Sequence, residues 1–289
     1  MKKKYLIVGL LAIALQLFSG CAAGNRLTIQ FAKPLISGSI EALYEETDPA
    51  FAEIAMASHL KLLEGMLKSS PNDRRLLTTA CQGFAGYAML FVEPSDPERA
   101  REFYLRAREY GLRALGSKWT NGGPAGYQDF ERSIGGLKKG NIPAAYWTAV
   151  AWGGWVNLSR SDPLASAQFP RVKKLMEWVQ SQDSTYFHGG PLWFFGVYYS
   201  TLPPILGGNS ALSNEYFKNA EVVTGGKFLW GKVLYAKTFA VQQLDRDLFN
   251  RLLTEAESEV RDEPPDLRLL NRIAGVEARK LLLQADELF

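Results

Sequence analysis

The chain has 289 residues, 47% hydrophobic and 22% charged, an ordinary globular composition with enough length for one or two domains and a sizeable core. Its formal charge of +3 equals the contribution of Lys2, Lys3 and Lys4, so the remainder is neutral and offers no electrostatic case for binding nucleic acid. With only two histidines and two cysteines, there is no His/Cys/Asp cluster at metal-ligand spacing, and no cofactor is expected.

Lys2–Lys4 precede an apolar run from Tyr5 to Phe18, followed by Ser19-Gly20-Cys21. A basic start, a short apolar middle and small residues before a cut make residues 1–20 a signal peptide. The run is too short to span a bilayer comfortably. Leu17-Phe-Ser-Gly-Cys21 resembles a bacterial lipoprotein signal, which implies lipidation of Cys21 and a membrane anchor through several acyl chains. Ala22 follows where an Asp would signal inner-membrane retention. The expected location is the periplasm, on the outer membrane in preference to the inner. Residues 21–34 read as a tether and 35–289 as one α-helical domain. Cys81 is then a lone cysteine in an apolar helix, expected to be buried and inert.

In chain order, a helix is expected over 35–46. Asp48-Pro49 is a cap with a first-turn proline. The helix behind it repeats Ala52, Ala55, Met56, His59, Leu60, Leu63 and Leu67 at helical spacing. A second runs from Asp73 to about Val92. Ser95-Asp-Pro-Glu98 reads as a capping box for a third, ending near Gly116. Residues 117–141 are glycine-rich with a short helix around 127–134. Asn141 is expected to cap Ile142–Leu158, a helix so apolar on every face that it must be buried all round. Asp162-Pro163 opens a helix to about Gln182. The stretch Tyr186–Gly208 carries Gly189-Gly190-Pro191, an aromatic run and Leu202-Pro203-Pro204, and predicts a short helix over 191–201 between glycine-rich loops. Helices over 210–223, 227–243, 245–261 and 266–287 complete the chain.

The fold class is therefore all-α. A repeat refines it. Aligning Gly83 with Gly196 places Tyr104 on Phe217 and Ala107 on Ala220 without a gap. A small residue on one helix and a large one on the next is the packing logic of a tetratricopeptide hairpin, so the expectation is a superhelical stack of such hairpins.

Reactive chemistry is not visible. Phosphate-binding, dinucleotide and nucleophile-elbow motifs are absent. His59 is read as a packing residue, and His188 as a cap or turn contact, with ligand binding as its alternative. Glu255, Glu257 and Glu259 are read as a solvated face. Trp152 and Trp155 share a helix face with Tyr146 nearby, and Asn157 adds an amide. Core packing explains these aromatics; the competing reading is an apolar pocket with a few polar groups. On that reading the ligand-binding candidates are Tyr146, Trp152, Trp155, Asn157, His188, Trp193 and Tyr199, converging on one concavity that takes a small hydrophobic or carboxylate ligand.

Glu64-Gly-Met-Leu, the Tyr146–Trp155 helix, His188-Gly-Gly-Pro, Leu202-Pro-Pro-Ile-Leu-Gly-Gly208 and Leu269-Leu-Asn-Arg-Ile-Ala274 together resemble the T-component proteins of TRAP transporters, from about residue 27 to Phe289. The resemblance implies a non-enzymatic periplasmic lipoprotein with cryptic tetratricopeptide-like repeats. It also implies a homotrimer and docking with the substrate-binding subunit of a TRAP system. Two other classes compete: a structural lipoprotein scaffold for envelope assembly, and a lytic transglycosylase, whose catalytic Glu-Ser context is not found here.

Overall fold

Short polar caps set where the helices begin. The computed structural model describes residues 34–120, 123–258 and 264–289, of which 34–44 form α1. The expected signal peptide, Cys21 and nearly all of the tether lie outside the described residues. Asp48 accepts from the Ala50 and Phe51 amides ahead of α2, Pro49–Ser69. Asp73 does the same for Arg75 and Leu76 in α3, Arg74–Tyr87. The cap of α4, Pro97–Leu115, is Asp96, which accepts from Arg99 N at 3.0 Å. Ser95 was expected to start a capping box there, but its hydroxyl donates to Val92 O.

Then come α5, Tyr127–Gly135, and α6, Ile142–Leu158. Asn141 does not cap α6 with its side chain; it folds back to accept from Lys138 N at 2.9 Å. The single helix expected from Pro163 to Gln182 is two, α7 Pro163–Ser166 and α8 Phe169–Gln182. Pro170 has no amide hydrogen for the preceding turn, so the helix restarts there. The remaining elements are α9 Tyr186–Thr201, α10 Ser210–Thr224, α11 Leu229–Tyr235, α12 Val241–Gln243, α13 Arg246–Ser258, α14 Arg268–Leu283 and α15 Ala285–Leu288.

No strand occurs among the described residues. α3 packs on α4, α4 on α6, α6 on α8, α9 on α10, and α13 on α14. The fold is all-α, with sequential helices paired into a stack of tetratricopeptide-like hairpins. α6 is buried over most of its length, as its composition demands, and opens only at its last turn. Cys81 is fully buried, which pushes its thiol up to about 12 and leaves it inert.

The close approaches at both repeat glycines exist, but their partners differ. A Cβ on Gly196 would lie 2.8 Å from the Phe217 ring, the expected glycine–aromatic contact between α9 and α10. A Cβ on Gly83 would instead meet Leu60 Cδ2 of α2 at 2.7 Å. Tyr104 lies over Gly154 of α6, where a Cβ would be 2.6 Å from its ring. α4 packs between α3 and α6, and its aromatic residue fills the groove toward the next helix rather than its own hairpin.

Two helices continue through π-turns that helical periodicity did not reveal. α3 runs into Ala88–Val92 and α11 into Ala236–Ala240. In each, an amide reaches five residues back: Glu93 N donates to Ala88 O at 2.8 Å, and Val241 N donates to Ala236 O. Such one-turn bulges recur at functional sites.

Candidate functional site

The two π-turned helices share a sequence pattern. Gly83-x-x-x-Tyr87-Ala88-x-x-Phe91 matches Gly231-x-x-x-Tyr235-Ala236-x-x-Phe239. An Asp-capped start follows in both cases, with Asp96 accepting from Arg99 N and Asp245 from Leu248 N at 2.9 Å. The residues just before the two glycines, Gln82 and Trp230, both line one cavity of about 60 Å³. That is several times the ~10–15 Å³ needed by one enclosed water-sized group.

The cavity lies where the two hydrophobic clusters of the molecule meet. α1 contributes Ile40, Leu43 and Tyr44, and α2 contributes Met56, His59, Leu60 and Leu63. α3 and its π-turn add Thr79, Gln82, Gly83, Gly86, Met89 and Leu90. The far wall is Trp147 of α6, Phe187 of α9, Phe228 and Trp230 around the start of α11, and Leu269 and Leu270 of α14. Small residues on the α3 face keep the space open, since a Cβ at Gly83 would press on Leu60. The lining is almost wholly apolar and holds no Lys, Arg, Asp or Glu.

Phe187 reaches the cavity through an unusual backbone. Phe187, His188 and Gly189 take φ of 48°, 57° and 72°, three successive left-handed residues inside α9. Glycine accepts this geometry, but each of the other two costs roughly 1–2 kcal/mol. The turn is anchored by Gly189 N donating to Thr185 O at 3.0 Å, and by Asp183 accepting from Thr185 N and Oγ1. The strain is offset by what the turn places. The Phe187 ring packs edge-on to Trp147 with centroids 4.7 Å apart, and lies 6.3 Å from Tyr44. The glycine-rich loop expected before Pro191 is thus a left-handed turn within one element. At Gly190 a side chain is excluded because its Cβ would enter the Tyr146 ring.

Polar groups on the lining residues are few. Gln82 Nε2 donates to Tyr44 Oη at 2.8 Å, and burial pushes the Tyr44 hydroxyl up to about 12. The indole Nε1 of Trp230, a residue 2% exposed, is buried with no hydrogen-bond partner. His59 Nε2 is likewise buried and unpartnered. Burial lowers the His59 pKa below its usual value, so the ring is neutral near pH 7.

None of the seven candidates lines this cavity. Tyr146 comes nearest, with its ring 5.9 Å from Phe187 behind the wall. Trp152 is fully buried in the first cluster and donates to Gln168 Oε1 at 2.8 Å. Trp155 is half-buried under the Arg108 guanidinium, and Asn157 is exposed and pairs with Arg160. His188 stacks on Phe228 at 5.7 Å with Nε2 3.7 Å from Asp266 Oδ2, and its carbonyl accepts from Trp193 Nε1 at 3.0 Å. Trp193 belongs to the second cluster, while Tyr199 stacks on Tyr216 at 5.7 Å. The seven side chains therefore sit in several packing environments.

The cavity's own aromatic residues sit one position away: Trp147 beside Tyr146, and Phe187 beside His188. The duplicated Gly-x-x-x-Tyr-Ala-x-x-Phe pattern was the missed signal. Glu255 is also more than a solvated carboxylate, since it accepts from the buried Lys232 Nζ at 3.0 Å, and Glu257 pairs with Arg279 at 2.8 Å. Glu259 lies outside the described residues.

Among the described residues no group of three or more His, Cys, Asp or Glu could hold a metal ion, and no helix is long and apolar enough to cross a membrane. Residues 45–289 match the family model described as TRAP transporter T-component. No curated protein matches the chain.

Proposed function

The chain belongs to the TRAP transporter T-component family, a non-catalytic accessory family of TRAP transport, and from that premise we propose that it is a periplasmic lipoprotein that docks with the substrate-binding subunit of its TRAP system and passes a small, partly apolar ligand to it. The observation that carries the ligand half of this reading is the apolar cavity between the two π-turned helices. It has the anatomy of a small-molecule site: mostly hydrophobic and aromatic walls with a few polar atoms. The anchor is Cys21, and the assembly is a homotrimer.

Purified mature protein mixed with the cognate substrate-binding subunit should form a saturable complex by sedimentation velocity. No complex at high micromolar concentration would refute docking. Light scattering of the isolated protein should give the trimer mass. Cys21→Ser should abolish labelled-palmitate incorporation; unchanged labelling would overturn the anchor assignment.

A further inference from the structure

The N-terminal half of the domain carries its charge unevenly from end to end. α2 and α3 run antiparallel, with Leu60 against Gly83 and Met56 against Gly86, so the end of α2 and the start of α3 lie together. The last turn of α4 joins them, because Arg113 Nη2 donates to Pro71 O at 2.5 Å in the turn between those helices. α4 and α6 are antiparallel too, with Gly111 against Thr148 and Tyr104 against Gly154. Lys138 and Lys139, just ahead of α6, therefore belong to the same end. That end carries Lys68, Arg74, Arg75, Arg113, Lys138 and Lys139, all exposed except the half-buried Arg113. Among the described residues none of the five exposed side chains is in an ion pair.

Acids at this end are few or engaged. Glu64 pairs with Lys61, and Asp73 and Asp183 accept from the amides of Arg75, Leu76 and Thr185. Glu109 is the remaining acid of these turns. The opposite end, where α2 and α4 begin, holds Glu45, Glu46, Asp48, Glu93, Asp96 and Glu98 against Arg99 and Arg101. About 30 Å separates the two ends, the length of the 21-residue α2. That is several Debye lengths at physiological salt, so a charged surface acts on one end at a time.

The chain also enters at the basic end. α1 meets the middle of α2, where Ser39 Oγ lies 3.5 Å from His59 Nδ1, and leads after Tyr44 into the start of α2. Its first residue, Pro34, therefore points toward the end of α2. Residues 22–33, which join Pro34 to Cys21, contain Arg26 and Lys33 and no acid. From Cys21 to Pro34 the chain spans at most about 45 Å.

We propose that the basic end is a second membrane contact, seated on the anionic headgroups of the bilayer that holds the Cys21 acyl chains. The acidic end then stands about 30 Å further out. This deepens the reading of the chain as a lipoprotein anchored at Cys21. Lipid is the occupant because the tether delivers this end to a bilayer, and unpaired Lys and Arg side chains are attracted to an anionic surface. A basic patch beside an acyl anchor strengthens the hold and fixes the orientation.

The test is co-sedimentation with vesicles of the mature chain carrying Cys21→Ser, so that acyl chains contribute nothing. Vesicles of equal parts phosphatidylglycerol and phosphatidylcholine should bind it, phosphatidylcholine alone should not, and added salt should weaken binding. Arg74→Gln with Arg75→Gln should weaken it about 30-fold, about 5-fold for each charge removed. Arg99→Gln with Arg101→Gln makes the same change in net charge at the far end and should leave binding unchanged. Thermal melts confirm that both variants are folded; where the Arg74/Arg75 variant is not, Lys138→Gln with Lys139→Gln replaces it. Equal losses in the two arginine variants would overturn the assignment to this end. Equal binding to both vesicle types, or to neither, would overturn the electrostatic contact. If the Arg74/Arg75 variant instead loses only its complex with the substrate-binding subunit, the patch belongs to a protein partner and the proposal fails. The anchor itself is judged separately, by palmitate labelling at Cys21.

Discussion

The helix around Gly83 and the helix around Gly231 carry the same pattern, bulge at the same alanine and lead to the same kind of Asp cap, yet they do different work. In the first, Gln82 is satisfied by Tyr44, and the glycine faces the flexible tip of Leu60. In the second, the equivalent Trp230 has an unmatched indole, and the glycine is pressed against the buried Trp193 ring. The duplicated scaffold sets the shape of the cavity twice. Only one copy leaves its polar group unpaired. A repeat conserves backbone register far more strictly than it conserves chemistry.

The sharpest way to break the equivalence is at the glycines. Gly231→Ala should cost about 2–3 kcal/mol in urea unfolding, because its Cβ enters the buried Trp193 ring. Gly83→Ala should cost under about 1 kcal/mol, since a leucine methyl can rotate away and alanine favours the helix. Equal losses would mean that the two close approaches are alike after all.

Next in size is the tyrosine of the second copy. Tyr235 Oη donates to Asn214 Oδ1, so Tyr235→Phe should lose about 1 kcal/mol by the same measurement. An unchanged midpoint would show the bond to be energetically idle.

The smallest effect is on pH dependence, with one histidine beside each copy. Burial lowers the pKa of both His59 and His188, with Asp266 opposing it at His188. The unfolded chain therefore takes up protons first. Stability from this source is full above the unfolded pKa near 6.5 and falls as pH drops through the lowered folded values. His59→Gln and His188→Gln should each flatten the decline in melting temperature between about pH 6.5 and 5. A slope unchanged in both would remove the histidines from the acid limb.

What the sequence made legible was what local chemistry controls. Asp48-Pro49 and Asp162-Pro163 marked helix starts, and the apolar run Ile142–Leu158 marked the buried helix. Family membership was legible too, through short motifs spread along the chain. The π-turns were not, because one extra residue hardly disturbs a periodicity read over several turns. Nor was the left-handed turn. Gly189 and Gly190 drew attention to the right place, but the strain falls on Phe187 and His188, whose side chains say nothing about positive φ. The cavity was hidden for a third reason. Its walls come from α1, α2, α3, α6, α9, α11 and α14, so no single stretch contains the site. Tyr146 and His188 were adjacent to its true lining because one position on a helix decides which neighbour a side chain meets.

A π-turn holds one residue more than the α-turn it replaces. Loss of the Ala88 or Ala236 codon would let the helix close normally and swing one flank by about 100° relative to the other. Gln82 or Trp230 would then face a different neighbour with every codon around them intact. In evolutionary terms the cavity is therefore more vulnerable to deletion than to substitution. Point changes along these helices adjust its chemistry, whereas a three-nucleotide deletion at either alanine erases it.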